Sequence, residues 1–434
     1  MRRRCARRRT GALKSVPFGP GSRPTKSCWR KPCRSWYDMQ THRVPGNPMS
    51  AKPQQKKKPE TPTHIGRVRA TLLAWYDANA RDLPWRRTRD PYAIWVSETM
   101  LQQTRVDTVI PYYTRFLEHF PDLASLARAD LESVYTLWTG LGYYSRARNL
   151  HSAAQSVVAD WGGALPDRAE SLRELKGIGR YTAGALASIA FDREEPIVDG
   201  NVIRVLARLV GIREDVGESK VIGRFWSLAS ELVAGPRPGD LNQALMELGA
   251  TVCTPRNPAC EGCPLESPCV ARAQGDPASL PIKKKRTPVR RVEATAAWIE
   301  RRGRVLGVQR PEGGLLGGLW ELPGGDLQPG ETPEAGLRRC LAETLGLEVT
   351  GLETAGTVEH LFSHRRLRLH VFRVAESAGR VNRKGFEAHR WLAPSGLADL
   401  PHGGPTRKAL ALLGQASPRP HRARLRQTSS AQSE

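Results

Sequence analysis

The sequence predicts a multidomain protein, an all-α domain with a four-cysteine loop followed by an α+β domain. Three observations carry this. Apolar residues recur at i, i+3 and i+4 from about Ile65 to Leu280 and alternate in strand fashion after Val292. Four of the eight cysteines crowd between Cys253 and Cys269. With 434 residues, 39% of them hydrophobic, the chain has room for two or three packed cores. Its formal net charge of +24 is spread through the middle as well as the ends. Such an excess points to a polyanionic partner, because each neutralised phosphate releases counterions. No apolar run reaches the ~18 residues of a transmembrane helix, so no membrane partner is expected.

Residues 1–62 form a basic leader, rich in Arg and Lys, nearly free of acids and broken by prolines, which predicts disorder. The leader lacks the apolar core of a secretory signal. An organellar transit peptide and an over-extended start upstream of Met49 both remain open. Cys5, Cys28 and Cys33 lie in this leader and Cys340 stands alone, so the clustering of the other four points to metal in a reducing compartment. The expected setting is a bacterial cytoplasm, on the nucleoid, with the chain a monomer.

The helical domain is expected over residues 63–280. VRATLLAWYDANA, TVIPYYTRFLEHF, LESVYTLWTGLG and NVIRVLARLVGI carry its periodicity, with short Gly, Pro and Asp breaks between. A basic linker, 281–291, contains KKKRTPVRR. Beyond it, VEATAAWIE, RVLGVQR, LWELPGG and RLRLHVFRVAE read as strands, with one clear helix in PEAGLRRCLAETLG. This second domain is expected over 292–415, and 416–434 as a disordered tail.

Cys253, Cys260, Cys263 and Cys269 follow C-x6-C-x2-C-x5-C within the loop 250–270. Spacing alone allows a four-thiolate zinc site or a [4Fe–4S] cluster. LKGIGRYTAGALASIA, from Leu175 to Ala190, reads as a glycine turn feeding a helix. Gly177 and Gly179 are expected to permit positive φ and to bare N–H groups toward a phosphate. VDGNVIRV follows, with Asp199 and Asn201 at the start of another helix. As a bare residue, Asp199 reads as an N-cap. Glu98, in WVSETMLQQTRV, reads as a first-turn charge facing a helix dipole.

Taken together, the hairpin, the aspartate after it and the cysteine loop resemble the helix-hairpin-helix glycosylase superfamily, over the whole helical domain. The cysteine spacing resembles the iron–sulfur loop of its endonuclease-III-like members, which implies a [4Fe–4S] cluster. LPWRRTRDPYAIWVSETMLQQTRVDTVIPYY and WTGLGYYSRARNLH resemble the adenine DNA glycosylase (MutY) family. That resemblance implies removal of adenine mispaired with 8-oxoguanine or guanine in double-stranded DNA, after the nucleotide is turned out of the duplex. It implies Glu98 as the acid that protonates adenine N7 and Asp199 as the carboxylate that stabilises the sugar cation, with Asn201 assisting. Arg86 and Gln243 are expected in the adenine pocket, Gln103 and Tyr143 in the opened duplex, and Arg146 and Arg148 on phosphates. Tyr181 takes the hairpin position where the superfamily's lyases carry a Schiff-base lysine. Lys176 stands earlier, in the turn. Hydrolysis without strand scission is therefore expected.

GGDLQPGETPEAGLRRCLAETLGLEV resembles a Nudix box. Gly325, Glu331, Arg339, Glu343 and Gly346 fit it, while Cys340 and Thr344 replace two of its acids. Those acids hold Mg²⁺ in a working diphosphate hydrolase, so their loss argues against that activity. The domain looks instead like the Nudix-related module of adenine glycosylases, which recognises 8-oxoguanine. Phe362, Ser363 and His364 match that module's FSH loop, with Ser363 bonding the oxidised base, and the basic strand after it suits a phosphate backbone. Three rivals remain: a pyrimidine-lesion glycosylase with lyase activity, a nucleotide-diphosphate hydrolase with a DNA-binding domain, and a non-catalytic iron–sulfur DNA sensor. Tyr181, the Cys340/Thr344 pair and the Glu98/Asp199 pair speak against them in turn.

Overall fold

Aspartates and prolines start the helices. In the computed structural model, which describes residues 65–284 and 289–414, the helical part opens with α1 (Ile65–Asn79) and α2 (Pro91–Leu101). Asp90 caps α2 by accepting the amides of Tyr92 and Ala93 at 3.2 Å, and Pro91 takes the first helical position. Helices α3 (Val106–His119), α4 (Leu123–Arg128) and α5 (Leu131–Trp138) follow, the last two capped by Asp122 and Asp130. Next come α6 (Ser145–Asp160), α7 (Ala169–Leu172) and α8 (Arg180–Ile189). Asp199 caps α9 (Gly200–Val210), which Gly211 ends at φ 70°. Then α10 (Ser219–Val233) and α11 (Pro238–Thr251) lead into the cysteine loop and the short α12 (Val270–Ala273). Their apolar faces share one core that includes Trp95, Trp138, Phe116 and Phe225. The leader and the tail lie outside the described residues, as do 285–288 of the linker.

The second part is a mixed sheet of seven strands. These are β1 (Arg290–Arg301), β2 (Arg304–Gln309), β3 (Trp320–Glu321), β4 (Gly324–Asp326), β5 (Glu348–Leu361), β6 (Arg365–Ala378) and β7 (Ala388–Leu392). The main path runs β3-β2-β1-β6-β5, with β1 and β6 parallel and the other pairs antiparallel. On one face α13 (Pro333–Leu345) covers Ala297, Ile299, Leu306 and Phe372. On the other, α14 (Gly396–Asp399) and α15 (Gly404–Leu412) cover Ala296, Trp298 and Val371. Alternating burial along β6 follows from the period of two.

The sheet part holds more than its sequence signals. LWELPGG divides into β3 and β4 at Pro323. The long strand β5 carries Gly351 and Gly356 at positive φ and a register shift between Thr354 and Gly356, which blunts its alternation. The two parts touch where α5 meets the turn before β3: the Tyr135 hydroxyl donates to the Gly317 carbonyl at 3.3 Å and Arg390 pairs with Glu132 at 3.0 Å.

Candidate functional site

A cavity of about 700 Å³ opens in the helical part, lined by Glu98, Tyr181, Asp199, Asn201, Arg86 and Gln243 among others. Helix α2 is buried from Tyr92 through Met100, and it carries Glu98 inside with it at 6% exposure. Glu98 stands in the last turn of α2, not in the first turn expected from the sequence. The negative end of the dipole therefore works with burial against its charge. Burial pushes the Glu98 carboxyl up to about 7; the Tyr181 hydroxyl pulls it down, and the neighbouring Asp199 charge pushes it further up. The Tyr181 hydroxyl also donates to Met246 Sδ at 3.1 Å.

Asp199 lives in a different environment. Its carboxylate accepts the Asn201 amide at 2.9 Å, the Asn201 side chain at 2.9 Å and the Val202 amide at 2.7 Å. Burial raises its pKa above the usual aspartate value, and these donors oppose that rise by favouring the anion. The N-cap role read from the bare sequence is therefore real, and it is the same geometry that holds the charge. Arg86 donates to Glu247 at 2.8 Å, and Arg81 donates to it at 2.7 Å. Burial would push the Glu247 carboxyl up, but these arginines outweigh it and hold it at about 2.

The hairpin before α8 needs one left-handed glycine, not two. Gly177 takes φ 84°, and a Cβ there would meet Asn149 at 2.6 Å; Gly179 is extended at φ −88°. Gly179 contributes by being bare, since α8 starts there with no side-chain cap. Arg204 was not singled out from the sequence. It donates to the Asn201 side chain at 2.8 Å and to the Cys253 carbonyl at 2.7 Å, joining the Asp199 turn to the cysteine loop. Its position three residues after Asn201 on one helix face was the available signal.

Gln103 and Tyr143 are exposed, non-glycine residues with φ of 58° and 49°. Such strain concentrates where function holds it. Arg146, expected on a phosphate, does something else: it is 8% exposed, and both of its Nη groups are engaged inside the protein while Nε is buried without a partner. Nη1 donates to the carbonyls of Thr99, Met100 and Gln102 at 2.9, 2.7 and 2.7 Å; Nη2 donates to Thr104 Oγ1 at 3.2 Å and the Gly142 carbonyl at 3.1 Å. One guanidinium thus caps the end of α2 and ties the Gln103 turn to the Tyr143 turn.

A second cavity, about 400 Å³, lies where the two parts meet. Tyr143 and Arg148 form one wall; Phe362, Ser363 and His364 form another. The Phe362 amide donates to the Arg365 carbonyl at 2.8 Å and closes that turn. Leu316, with φ 57°, joins the lining from the GGLLGG loop and packs on the helical core. The sequence reading missed it, although the flanking glycine pairs marked an unusual loop. Tyr144 donates to the His402 carbonyl at 2.8 Å behind this cavity.

Cys253, Cys260, Cys263 and Cys269 are unpaired and partly buried in one loop closed by α12. Burial pushes the Cys263 thiol up to about 11, with Cys253, Cys269 and Cys260 near enough to add to it. Arg208, fully buried, donates to Cys253 Sγ at 3.3 Å and to the Thr254 carbonyl at 2.7 Å. Among the described residues, no three His, Cys, Asp or Glu side chains stand as ligands of a single metal ion. Four cysteines in one loop, three of them near enough to act on Cys263, with Arg208 beside Cys253, nonetheless have the donor chemistry of a thiolate-bound cluster. In the degenerate Nudix box, Arg339 binds the acids that remain, Glu331 at 2.7 Å and Glu343 at 3.2 Å, and the Cys340 thiol faces Gly325.

Residues 96–231 match the HhH-GPD superfamily of base excision DNA repair proteins, and residues 294–412 match the NUDIX domain. The chain is 42% identical to the adenine DNA glycosylase of Rattus norvegicus over 397 residues, covering 77% of each chain. It is 43% identical to that of Homo sapiens, covering 71% of this chain and 66% of the human one. Among solved structures, a thermostable thymine-DNA glycosylase is 30% identical with a TM-score of 0.44, covering 48% of this chain and 97% of that one. A repair-type helical part, a Nudix-like sheet part and this identity across both lead to one assignment: the chain belongs to the adenine DNA glycosylase family.

Proposed function

We propose that the chain excises adenine paired with 8-oxoguanine or guanine by hydrolysis of the N-glycosidic bond, leaving an abasic site and an unbroken strand. The observation that carries this is the pair of carboxylates in one cavity with divergent environments, Glu98 pushed up to about 7 and Asp199 with three donors that favour its anion against burial. The turned-out adenine enters the larger cavity, whose volume suits a nucleotide-sized ligand. Glu98 gives its proton to adenine N7, so the base leaves neutral. Asp199 offsets the positive charge that grows on the sugar, and water completes the displacement. Tyr181 has no amine to form a Schiff base, and Lys176 stands exposed in the turn.

Arg86 and Gln243 orient the adenine, while Gln103 and Tyr143 fill the space it vacates. Gly177, Gly179 and Arg148 hold the backbone. Ser363, between Phe362 and His364, bonds the oxidised guanine in the smaller cavity. Cys253, Cys260, Cys263 and Cys269 hold a [4Fe–4S] cluster, which when bound cross-links the loop. The protein works as a monomer on nucleoid DNA in a bacterial cytoplasm, a reducing setting that suits unpaired cysteines. No helix among the described residues is long and apolar enough to cross a membrane.

The test is a duplex with one adenine opposite 8-oxoguanine, incubated with the protein and analysed with and without alkali. Strand cleavage after alkali alone is the expected outcome. Cleavage without alkali shows a lyase and removes the hydrolytic mechanism. Absence of cleavage in both arms removes the substrate.

A further inference from the structure

The parallel pairing of β1 with β6 sets Arg290 beside Arg365 and Arg291 beside Arg366. Leu367, Leu369 and Val371 face the core with Ala294, Ala296 and Trp298. By the period of two, Arg291, Glu293, Arg366 and Arg368 emerge together on the opposite face. There they line a shallow depression of about 150 Å³ with Glu359 of β5.

The acids in this depression are already engaged. Arg368 pairs with Glu293 at 3.7 Å and with Glu359 at 3.5 Å, and His370 meets Glu293 at 3.1 Å. Arg291 and Arg366 are exposed and have no ion-pair partner among the described residues. Neighbouring strands lie about 4.8 Å apart, so these two form a like-charge pair that costs stability in the free protein. An anion between them reverses that sign, and two guanidinium forks match the oxygens of a phosphate.

Position selects the anion. Leu361 of β5 is the register partner of Arg366, is 62% exposed, and lines the smaller cavity beside the Phe362–His364 turn. The arginine pair therefore lies one strand away from that cavity's rim. We propose that Arg291 and Arg366 together grip a backbone phosphate of the DNA strand opposite the target adenine, the strand whose base the smaller cavity reads. Leu361 contributes an apolar contact to the sugar between them. The inference rests on the reading of Ser363 given above. It also narrows the expectation that the basic strand after the FSH loop meets a phosphate backbone: Arg368 and His370 are spent on acids, and Arg291 comes from the neighbouring strand β1.

The experiment uses the full-length protein and the double variant Arg291→Gln/Arg366→Gln, measuring the Kd of an 8-oxoguanine:adenine duplex across a salt series. Loss of the one phosphate contact that both arginines make lowers the slope of log K against log salt by about 0.9. Binding at fixed salt near 0.15 M is expected to weaken about tenfold. Neutral methylphosphonates on the 8-oxoguanine strand should weaken the unaltered protein and leave the double variant's Kd unchanged. An unchanged salt slope overturns the proposal, as does a methylphosphonate effect equal in both proteins. Removing a like-charge pair should leave the melting temperature unchanged or higher, so misfolding does not imitate the result. Ser363→Ala serves as a separate arm: an unaltered preference for 8-oxoguanine over guanine there overturns the cavity's role and leaves the salt slope to judge the arginines.

Discussion

Glu98 owes its proton to burial, and the same burial makes it expensive once ionised. Its carboxyl sits at about 7 against an ordinary glutamate value near 4.5. The folded state thus binds the proton more tightly than the unfolded one. The group's contribution to stability is full below about pH 4.5 and is lost as pH rises to about 7. A shift of ~2.5 units corresponds to roughly 3 kcal/mol at most. Glu98→Gln should abolish adenine release, keep lesion-duplex binding, and melt higher than the parent at pH 8 but not at pH 5. Equal melting differences at both pH values would show that the carboxyl is not held neutral. In the parent, excision should fall as pH rises through about 7. Glu98 and Asp199, which line one cavity, could be singled out in the sequence only through the family motifs around them, since as bare residues they read as a first-turn charge and an N-cap. The role of Arg146 was not legible, because an arginine beside tyrosines in a mixed helix looks exposed, and only the packing of α6 under the end of α2 shows otherwise.

At the scale of elements, the turns bearing Gln103 and Tyr143 behave as one unit, because Arg146 holds the carbonyls that precede each of them. Arg146→Lys replaces a planar fork with a compact head that cannot reach both. Arg146→Lys and Tyr143→Ala should each weaken lesion-duplex binding, and the double variant should lose less than their sum, with a coupling of about 1 kcal/mol. Additivity within about 0.5 kcal/mol would separate the two turns. Helices were readable from their apolar periodicity, and Asp199 as a cap because capping is local; Asp90 caps α2 in the same way but was not read so, which is why Glu98 was expected in a first turn. Strand β5 was not readable, since its glycines and bulge erase the alternation and its pairing with β6 supplies the order instead. The short α15 likewise depends on the sheet it covers.

Across the whole molecule, the larger cavity belongs to the helical part alone, whereas the smaller is lined from both parts of the chain. Tyr144 joins the parts by donating to the His402 carbonyl and accepting the Gly140 amide at 3.3 Å. Tyr144→Phe leaves the buried His402 carbonyl without that partner, at about 1–3 kcal/mol. It should lower the ratio of excision rates for 8-oxoguanine:adenine over guanine:adenine. A lower melting temperature with an unaltered ratio would make the contact structural alone. The sequence could not reveal this junction, because its residues are 258 positions apart and neither carries a motif. The chain order of the two linings has a further consequence. All residues around the larger cavity fall between Arg81 and Ala250, whereas the smaller one closes only with His402, Gly403, Gly404 and Arg407. During synthesis every residue of the larger cavity is therefore in place long before the last residues of the smaller one. A chain that stopped short of the sheet would hold every residue that lines the larger cavity and lack the second wall of the smaller one; under the function proposed above, it is expected to lose the preference for 8-oxoguanine before it loses excision.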